Sequence, residues 1–147
     1  MGDIVLTIAH HLSVFAVVAM LGAEFAVLRA GVTPAAMRLL ARLDAIYGGA
    51  AILVLLAGFG RVFHTEASFY LANPVFWTKI GLFVVVGLLS VPPTLAFLRW
   101  NKALKADAAF TVPAGELKRV RTLLHAELGL LFLIPIAAAL MARGIGL

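Results

Sequence analysis

The sequence predicts an all-α integral membrane protein built as an up-down four-helix bundle. Of its 147 residues, 63% are hydrophobic and 13% are charged, and the mean hydropathy is +1.07. Soluble domains are about half apolar and about a quarter charged. The apolar residues here also come in long blocks, as they do in membrane helices. We therefore expect residues 1–147 to form a single transmembrane domain.

Four apolar blocks reach or exceed the roughly 20 residues that a helix needs to cross a bilayer. They cover about residues 4–28, 43–63, 76–98 and 123–141. Thr33-Pro34 and Asn73-Pro74 each combine a capping side chain with a proline suited to the first helical turn, so both predict helix starts. The second half of the long polar loop at residues 101–121 is expected to begin the fourth helix.

The lysines and arginines predict the orientation of the helices. Nine of them lie in two loops, namely Arg29, Arg38, Arg42, Arg99, Lys102, Lys105, Lys118, Arg119 and Arg121. The opposite side carries Arg61 and Arg143. The positive-inside rule then places both termini outside and the two basic loops in the cytoplasm, as in a multi-pass protein of the bacterial inner (cytoplasmic) membrane. A reporter fused after Leu147 should therefore behave as periplasmic.

Composition also limits the classes of function. The chain has no cysteine, which excludes disulfides, thiolate metal sites and cysteine nucleophiles within it. The net charge of +5 is explained by topology, so we expect membrane lipid and no nucleic acid as partner. The start of the chain is acidic at Asp3, where a cleaved signal peptide would be basic, so the first block is predicted to be a retained helix.

Ionisable side chains at lipid depth are costly and usually mark a functional site inside the bundle. A rise of about 1.5 Å per residue sorts them into two layers. The outer layer comprises His10, His11 and Lys79, with Arg61 and His64 at its edge. The inner layer comprises Glu24, Asp44, His125 and Glu127. We expect Asp44 and Arg61 to face the interior, and Glu127 either to pair with an arginine or to take up protons.

The paired histidines suggest a haem site. Imidazole is an axial ligand of haem iron, and slots between helices can hold the macrocycle. Adjacent residues on a helix point about 100° apart, so at most one of His10 and His11 faces the bundle axis. His125 lies too far along the membrane normal to share an iron with them. In the outer site, one histidine would ligate the iron. Lys79, His64 or water would be the second ligand, or the iron would have no second ligand.

In that site, Arg61 is placed to bind a propionate, because arginine prefers carboxylates. We expect the other histidine of the pair to bond a backbone group or a neighbouring helix.

These features resemble the HemJ-type membrane protoporphyrinogen oxidases, which are small four-helix b-type haem proteins, or a related family of predicted bacterial membrane proteins. The similarity lies in "HHLSVFAVVAMLGAEFAVLR" of the first helix, "FWTKIGLFVVV" of the third and "LLHAELGLLFLIPIAAALMARG" of the fourth. The resemblance implies a haem b ligand at His11 or His10, with His11 slightly preferred. It also implies an active-site role for Lys79 and a structural or proton-handling role for Glu127.

The leading hypothesis is therefore a membrane protein that binds b-type haem or a porphyrin and has a redox role, as an oxidoreductase or in electron transfer. One alternative is a subunit for proton-coupled transport of a small solute or ion, with the inner-layer residues as a relay. Because four helices are few for a transporter, that alternative calls for a homo-oligomer. The other alternative is a cofactor-free membrane assembly protein.

Overall fold

The structure is a computed structural model that describes residues 2–64 and 67–144. Its helices are α1 (Gly2–Ala30), α2 (Pro34–His64), α3 (Ala67–Ala72), α4 (Pro74–Ala106) and α5 (Ala114–Ala142). The four long helices are each long and apolar enough to cross a membrane. The predicted all-α membrane fold is thereby confirmed, and the described residues include no strand. Leu147, the predicted fusion point, lies outside the described residues.

Both predicted helix starts are present. The Thr33 Oγ1 accepts a hydrogen bond from the backbone N–H of Ala36 at 3.2 Å, immediately before α2. The Asn73 Oδ1 accepts from the N–H of Val75 at 2.8 Å, with Pro74 in the first turn of α4. In each case a side-chain oxygen satisfies a backbone donor that the first turn of a helix leaves unpaired.

The long helices extend beyond the apolar blocks on the side of the basic loops. α2 begins at Pro34, α4 continues to Ala106 and α5 begins at Ala114. These added turns carry polar side chains such as Arg38 and Lys102, both exposed, so the helices continue past the apolar core of the membrane. Hydropathy alone marks the buried span, whereas hydrogen bonding continues the helix until a capping residue or proline ends it.

The outer loop contains a helix that the sequence analysis missed. α3 is too short to show a periodic apolar pattern. Contacts with the start of α4 stabilise it: the Trp77 Nε1–H donates to the Leu71 carbonyl at 3.0 Å, and the Tyr70 and Phe76 rings lie 6.0 Å apart. Tertiary packing of aromatic side chains therefore accounts for this element.

The four long helices surround a common core in chain order. α1 packs mainly on α2 and α4 mainly on α5, while smaller contacts join α2 to α4 and α1 to α5. The bundle thus consists of two tightly packed pairs that meet less closely. We call the half near the start of α1 and the end of α2 the outer half, and the half near the two basic loops the inner half.

Packing differs between these halves. Large side chains that are almost fully buried concentrate in the inner half: Leu21, Leu28, Met37, Leu40, Phe97, Trp100 and Leu124. Large apolar side chains on the outside of the bundle, such as Phe15 and Leu88, are exposed and suited to contact lipid. The outer half holds a cavity between the two helix pairs.

Candidate functional site

The outer cavity has a volume of about 200 Å³ and receives side chains from α1, α2, α4 and α5, with Tyr70 from α3. Most of its lining is aliphatic or aromatic, including Val54, Phe76 and Phe83. His10, Arg61 and Lys79 also line it. Rise counting had placed these three basic side chains in one layer, and the structure brings them together around one space.

His10 is held in a defined orientation. Its Nδ1 lies 3.1 Å from the Val54 carbonyl oxygen of α2, and since a carbonyl only accepts, Nδ1 carries the proton. The lone pair of the neutral ring is therefore on Nε2. A Cβ added at Gly58 would lie 3.3 Å from the ring atoms Cε1 and Nδ1, so the glycine provides the space in which the imidazole packs.

His11 has a different environment. Its side chain is exposed on the outside of the bundle, and its Nδ1–H donates to the Thr7 carbonyl of the same helix at 2.7 Å. The two imidazole rings are 5.9 Å apart and nearly perpendicular. As expected from the angle between adjacent residues, one histidine faces the interior. It is His10, whereas the family resemblance slightly favours His11 as the ligand.

Lys79 is half-buried, and its Nζ lies 5.5 Å from the centroid of the Phe76 ring. Phe76 itself is buried. Among the residues that the structure describes, the cavity lining includes no aspartate or glutamate. The lysine ammonium thus lies in an apolar, aromatic setting beside His10 and Arg61, which favours a ligand that brings negative charge with it.

His64 is not part of this lining. It is exposed at the end of α2, where its ring would lie 3.9 Å from a Cβ at Gly2. Rise counting placed it near the outer edge of the membrane, and in the structure it lies at the end of α2 beside Gly2, beyond the residues that line the cavity. The sequence-based assignment of His64 as a cofactor ligand therefore lacks geometric support.

The inner half contains a buried acidic cluster. Glu24, Asp44 and Glu127 come from α1, α2 and α5 and are 1%, 6% and 1% exposed. The Tyr47 hydroxyl crosses the bundle from α2 and donates to Glu127 Oε1 at 2.6 Å. Glu127 therefore bonds a tyrosine in the structure, where the sequence analysis had offered an arginine as one possible partner.

Asp44 also has a hydroxyl partner. The Thr94 Oγ1–H donates to Asp44 Oδ1 at 2.8 Å and links α2 to α4. The expectation that Asp44 faces the interior is confirmed by its burial. Tyr47 and Thr94 were missed as polar partners of this layer. The sequence contains one clue to them: each is a hydroxyl side chain at the depth of an intramembrane acid. Tyr47 also precedes two glycines, and Thr94 follows two prolines.

The basic residues near this layer contact other groups. His125 is exposed, and its ring packs against Phe25 with centroids 5.1 Å apart. The Arg29 guanidinium lies 5.8 Å from the same Phe25 ring. The Arg121 Nε–H donates to the Leu28 carbonyl at 3.2 Å. His125 thus stands apart from the three acids with which the sequence analysis had grouped it.

The described residues contain no group of three or more histidine, aspartate or glutamate side chains arranged to hold a metal ion. A metal that enters with its own macrocycle needs fewer protein ligands than a free ion does. The outer cavity offers one such ligand in His10.

The fold and the buried polar groups define a membrane protein with four candidate spans, a basic cavity in one half and an acidic cluster in the other. The chain belongs to the family described as Predicted membrane protein (DUF2214), which it matches over residues 2–146. No curated protein and no solved structure matches it. The family supports the more general expectation of a membrane protein and gives no support to HemJ specifically.

Proposed function

We propose that the protein binds haem b, or a closely similar porphyrin, in the outer cavity and has a redox role in the membrane. The observation that carries this proposal is the orientation of His10. Its Nδ1–H is bound to the Val54 carbonyl, which leaves the Nε2 lone pair for a ligand. Histidines that ligate metals usually donate their other N–H in this way, because that bond fixes the tautomer and the ring orientation.

The lining of the cavity suits the two chemical parts of a haem. Aromatic and aliphatic side chains such as Phe76 and Phe83 can contact the macrocycle, while Lys79 and Arg61 can bind the anionic propionates. A purely apolar ligand would leave the lysine ammonium without a counter-charge. The donor set thus favours a flat, apolar molecule that carries carboxylates.

The cavity volume sets a condition on binding. About 200 Å³ is less than the roughly 300–1,000 Å³ typical of ligand sites, so a macrocycle must widen this space. The division of the bundle into an α1–α2 pair and an α4–α5 pair provides a route, since these pairs contact each other less closely than the helices within them. Binding then selects a conformation in which the pairs lie further apart.

Haem, when bound, supplies one-electron redox chemistry. The residues of the chain bind and orient it: His10 would ligate the iron through Nε2, and Val54 holds the imidazole. Lys79 would neutralise a propionate or transfer a proton at the edge of the site, which is the role we propose for it in an oxidoreductase. We propose the bacterial cytoplasmic membrane as the location, with the basic loops inside.

The test is the absorbance of the purified protein in lipid nanodiscs after haem is added, measured oxidised and after dithionite reduction. We expect a Soret band and the reduced α and β bands of a b-type haem. His10→Ala should bleach or shift the Soret band. His11→Ala is the matched control, with the same change one residue away, and should leave the spectrum intact.

Two results would overturn the proposal. One is a wild-type protein that acquires no protein-bound haem spectrum under these conditions. The other is a pair of single variants whose spectra equal the wild type, since the histidines would then lie outside the binding site.

A further inference from the structure

The acidic cluster of the inner half, formed by Glu24, Asp44 and Glu127, lies outside the site proposed for haem. Its three carboxyl groups come from three helices and are all more than nine-tenths buried. They lie in the same inner half of the bundle, where Tyr47, one turn after Asp44 on α2, donates to Glu127 of α5. Three such groups in a low-dielectric core would repel one another if all were ionised.

Hydrogen-bond donors reach only part of this cluster. Tyr47 donates to Glu127 and Thr94 donates to Asp44. The Glu24 Oε1 is buried with no hydrogen-bond partner among the described residues. Burying a carboxylate oxygen without a hydrogen-bond donor costs free energy of folding. Glu24 is therefore the member of the cluster that lacks a donor.

Among the described residues of α1 and α5, the basic side chains near this position contact other groups. On α1, Arg29 lies over the Phe25 ring. On α5, Arg121 donates to the Leu28 carbonyl and His125 packs on the outside of the bundle. On α2, Arg42 is exposed and Tyr47 bonds Glu127, and α4 contributes the hydroxyl of Thr94. In the part of the chain that the structure describes, these carboxyl groups also do not form a group of three or more ligands able to hold a metal ion.

We propose that Glu24, Asp44 and Glu127 form a proton-binding site that holds at least one exchangeable proton between them. Uptake forms one O–H bond on a carboxylate oxygen, converts a hydronium ion to water and lowers the negative charge of the cluster by one. The O–H of the protonated carboxyl group is then the hydrogen-bond donor that Glu24 Oε1 otherwise lacks. Groups of ionisable side chains inside a membrane protein form the proton relays of pumps and transporters.

A groove between α2 and α4 provides access to the site. It has a volume of about 360 Å³, and its lining includes Asp44, Tyr47, Ser90 and Thr94 together with glycines of both helices. Cβ atoms added at Gly48 or Gly87 would meet nothing within 4 Å, so the groove stays open beside the polar groups. The groove opens beside Asp44, whereas His10, Arg61 and Lys79 line the outer cavity. The inference is therefore independent of the proposed haem function.

Infrared difference spectroscopy of the full-length protein in lipid vesicles tests this site, without added haem. The carbonyl stretch of protonated carboxyl groups is recorded through a pH titration in water and in D₂O. We expect a band from a buried protonated carboxyl at neutral pH that shifts on deuteration. Glu24→Gln should remove about one carboxyl's intensity from it, whereas Glu116→Gln, the same change at a residue that pairs with Arg99 near the surface, should not.

Asp44→Asn and Glu127→Gln provide further readings if Glu24→Gln fails to fold, because loss of either carboxyl should shift the band. The proposal is overturned if the wild type shows no protonated buried carboxyl, or if all folded variants keep the wild-type band. It is also overturned if sodium chloride, but not choline chloride, abolishes the band, since the cluster would then bind a metal cation.

Discussion

The two halves of the bundle place their polar groups in opposite ways. In the outer half, basic side chains of different helices line a cavity whose other walls are apolar. In the inner half, three acidic side chains are buried, and two of them, Asp44 and Glu127, bond to hydroxyl groups. The outer arrangement places basic side chains around a space between the two helix pairs, whereas the inner one places a carboxyl group, that of Asp44, beside a groove between α2 and α4. Buried charge in a membrane protein therefore has to be interpreted together with the volume around it.

The largest expected effect concerns which half faces the cytoplasm. The chain has no cysteine, so single cysteines can be introduced at Ser68 in α3 and at Ala108 in the loop before α5. Both positions are exposed. A membrane-impermeant maleimide applied to intact spheroplasts should label Ser68→Cys and leave Ala108→Cys unlabelled until the cells are lysed.

The reverse pattern would exchange the outer and inner halves, and the basic loops would then lie outside the cell. Equal labelling at both positions before lysis would indicate leaky cells, which a cysteine-containing cytoplasmic protein in the same sample reveals.

The second prediction compares packing in the two halves. Leu124 is fully buried in the inner half, while Leu128, one turn further along α5, lines the outer cavity. We expect Leu124→Ala to lower the free energy of unfolding by about 2–5 kcal/mol, because it opens a new cavity in a filled core. Leu128→Ala should cost less, since its side chain already borders empty space and has fewer contacts to lose.

Reversible unfolding in mixed micelles measures both leucine variants under the same conditions. Equal losses at the two positions would mean that the outer cavity is filled in the membrane. Such a result would remove the contrast between the halves.

The third prediction concerns the hydroxyl bond that crosses the bundle. Tyr47→Phe removes the donor to Glu127 and leaves a buried carboxyl oxygen unsatisfied, so we expect a loss of about 1–3 kcal/mol in unfolding free energy. Glu127→Leu removes the other partner. The double variant should be less destabilised than the sum of the two single variants, because it removes both polar groups together.

Additive losses in this cycle would show that Tyr47 and Glu127 contribute separately. The hydrogen bond would then not be the interaction that joins α2 to α5.

The properties that were predicted correctly from the sequence are those that a single helix determines by itself. Hydropathy located the four spans, and Thr33-Pro34 and Asn73-Pro74 marked two helix starts. Depth along a helix also follows from residue number, which is why His10 and Lys79 were expected in the same layer.

Properties that depend on two helices were harder to predict. Whether His10 or His11 faces inward depends on the rotation of α1 about its axis. Close packing against α2 sets that rotation: a Cβ at Gly60 would lie 3.1 Å from Leu6. The bond from Tyr47 to Glu127 likewise needs the order of helices around the bundle, which composition and periodicity do not contain.

The smallest predicted effect uses two glycines of α2 that face different surroundings. An added Cβ meets the His10 ring at Gly58 but nothing within 4 Å at Gly48. Alanine in a helix interior is more stable than glycine by roughly 0.5–1 kcal/mol, so Gly48→Ala should raise stability by about that amount. At Gly58 the same gain is offset, because the imidazole has to move by a few tenths of an ångström in a packed site.

We therefore expect Gly58→Ala to be less stable than Gly48→Ala by about 1 kcal/mol. The nitrogen-15 NMR signals of the His10 imidazole should shift in Gly58→Ala and not in Gly48→Ala, since only the first substitution disturbs its bond to Val54. Unchanged His10 signals in both variants would show that Gly58 does not fix the ring. The orientation of Nε2 in the outer cavity would then depend on the Val54 carbonyl alone.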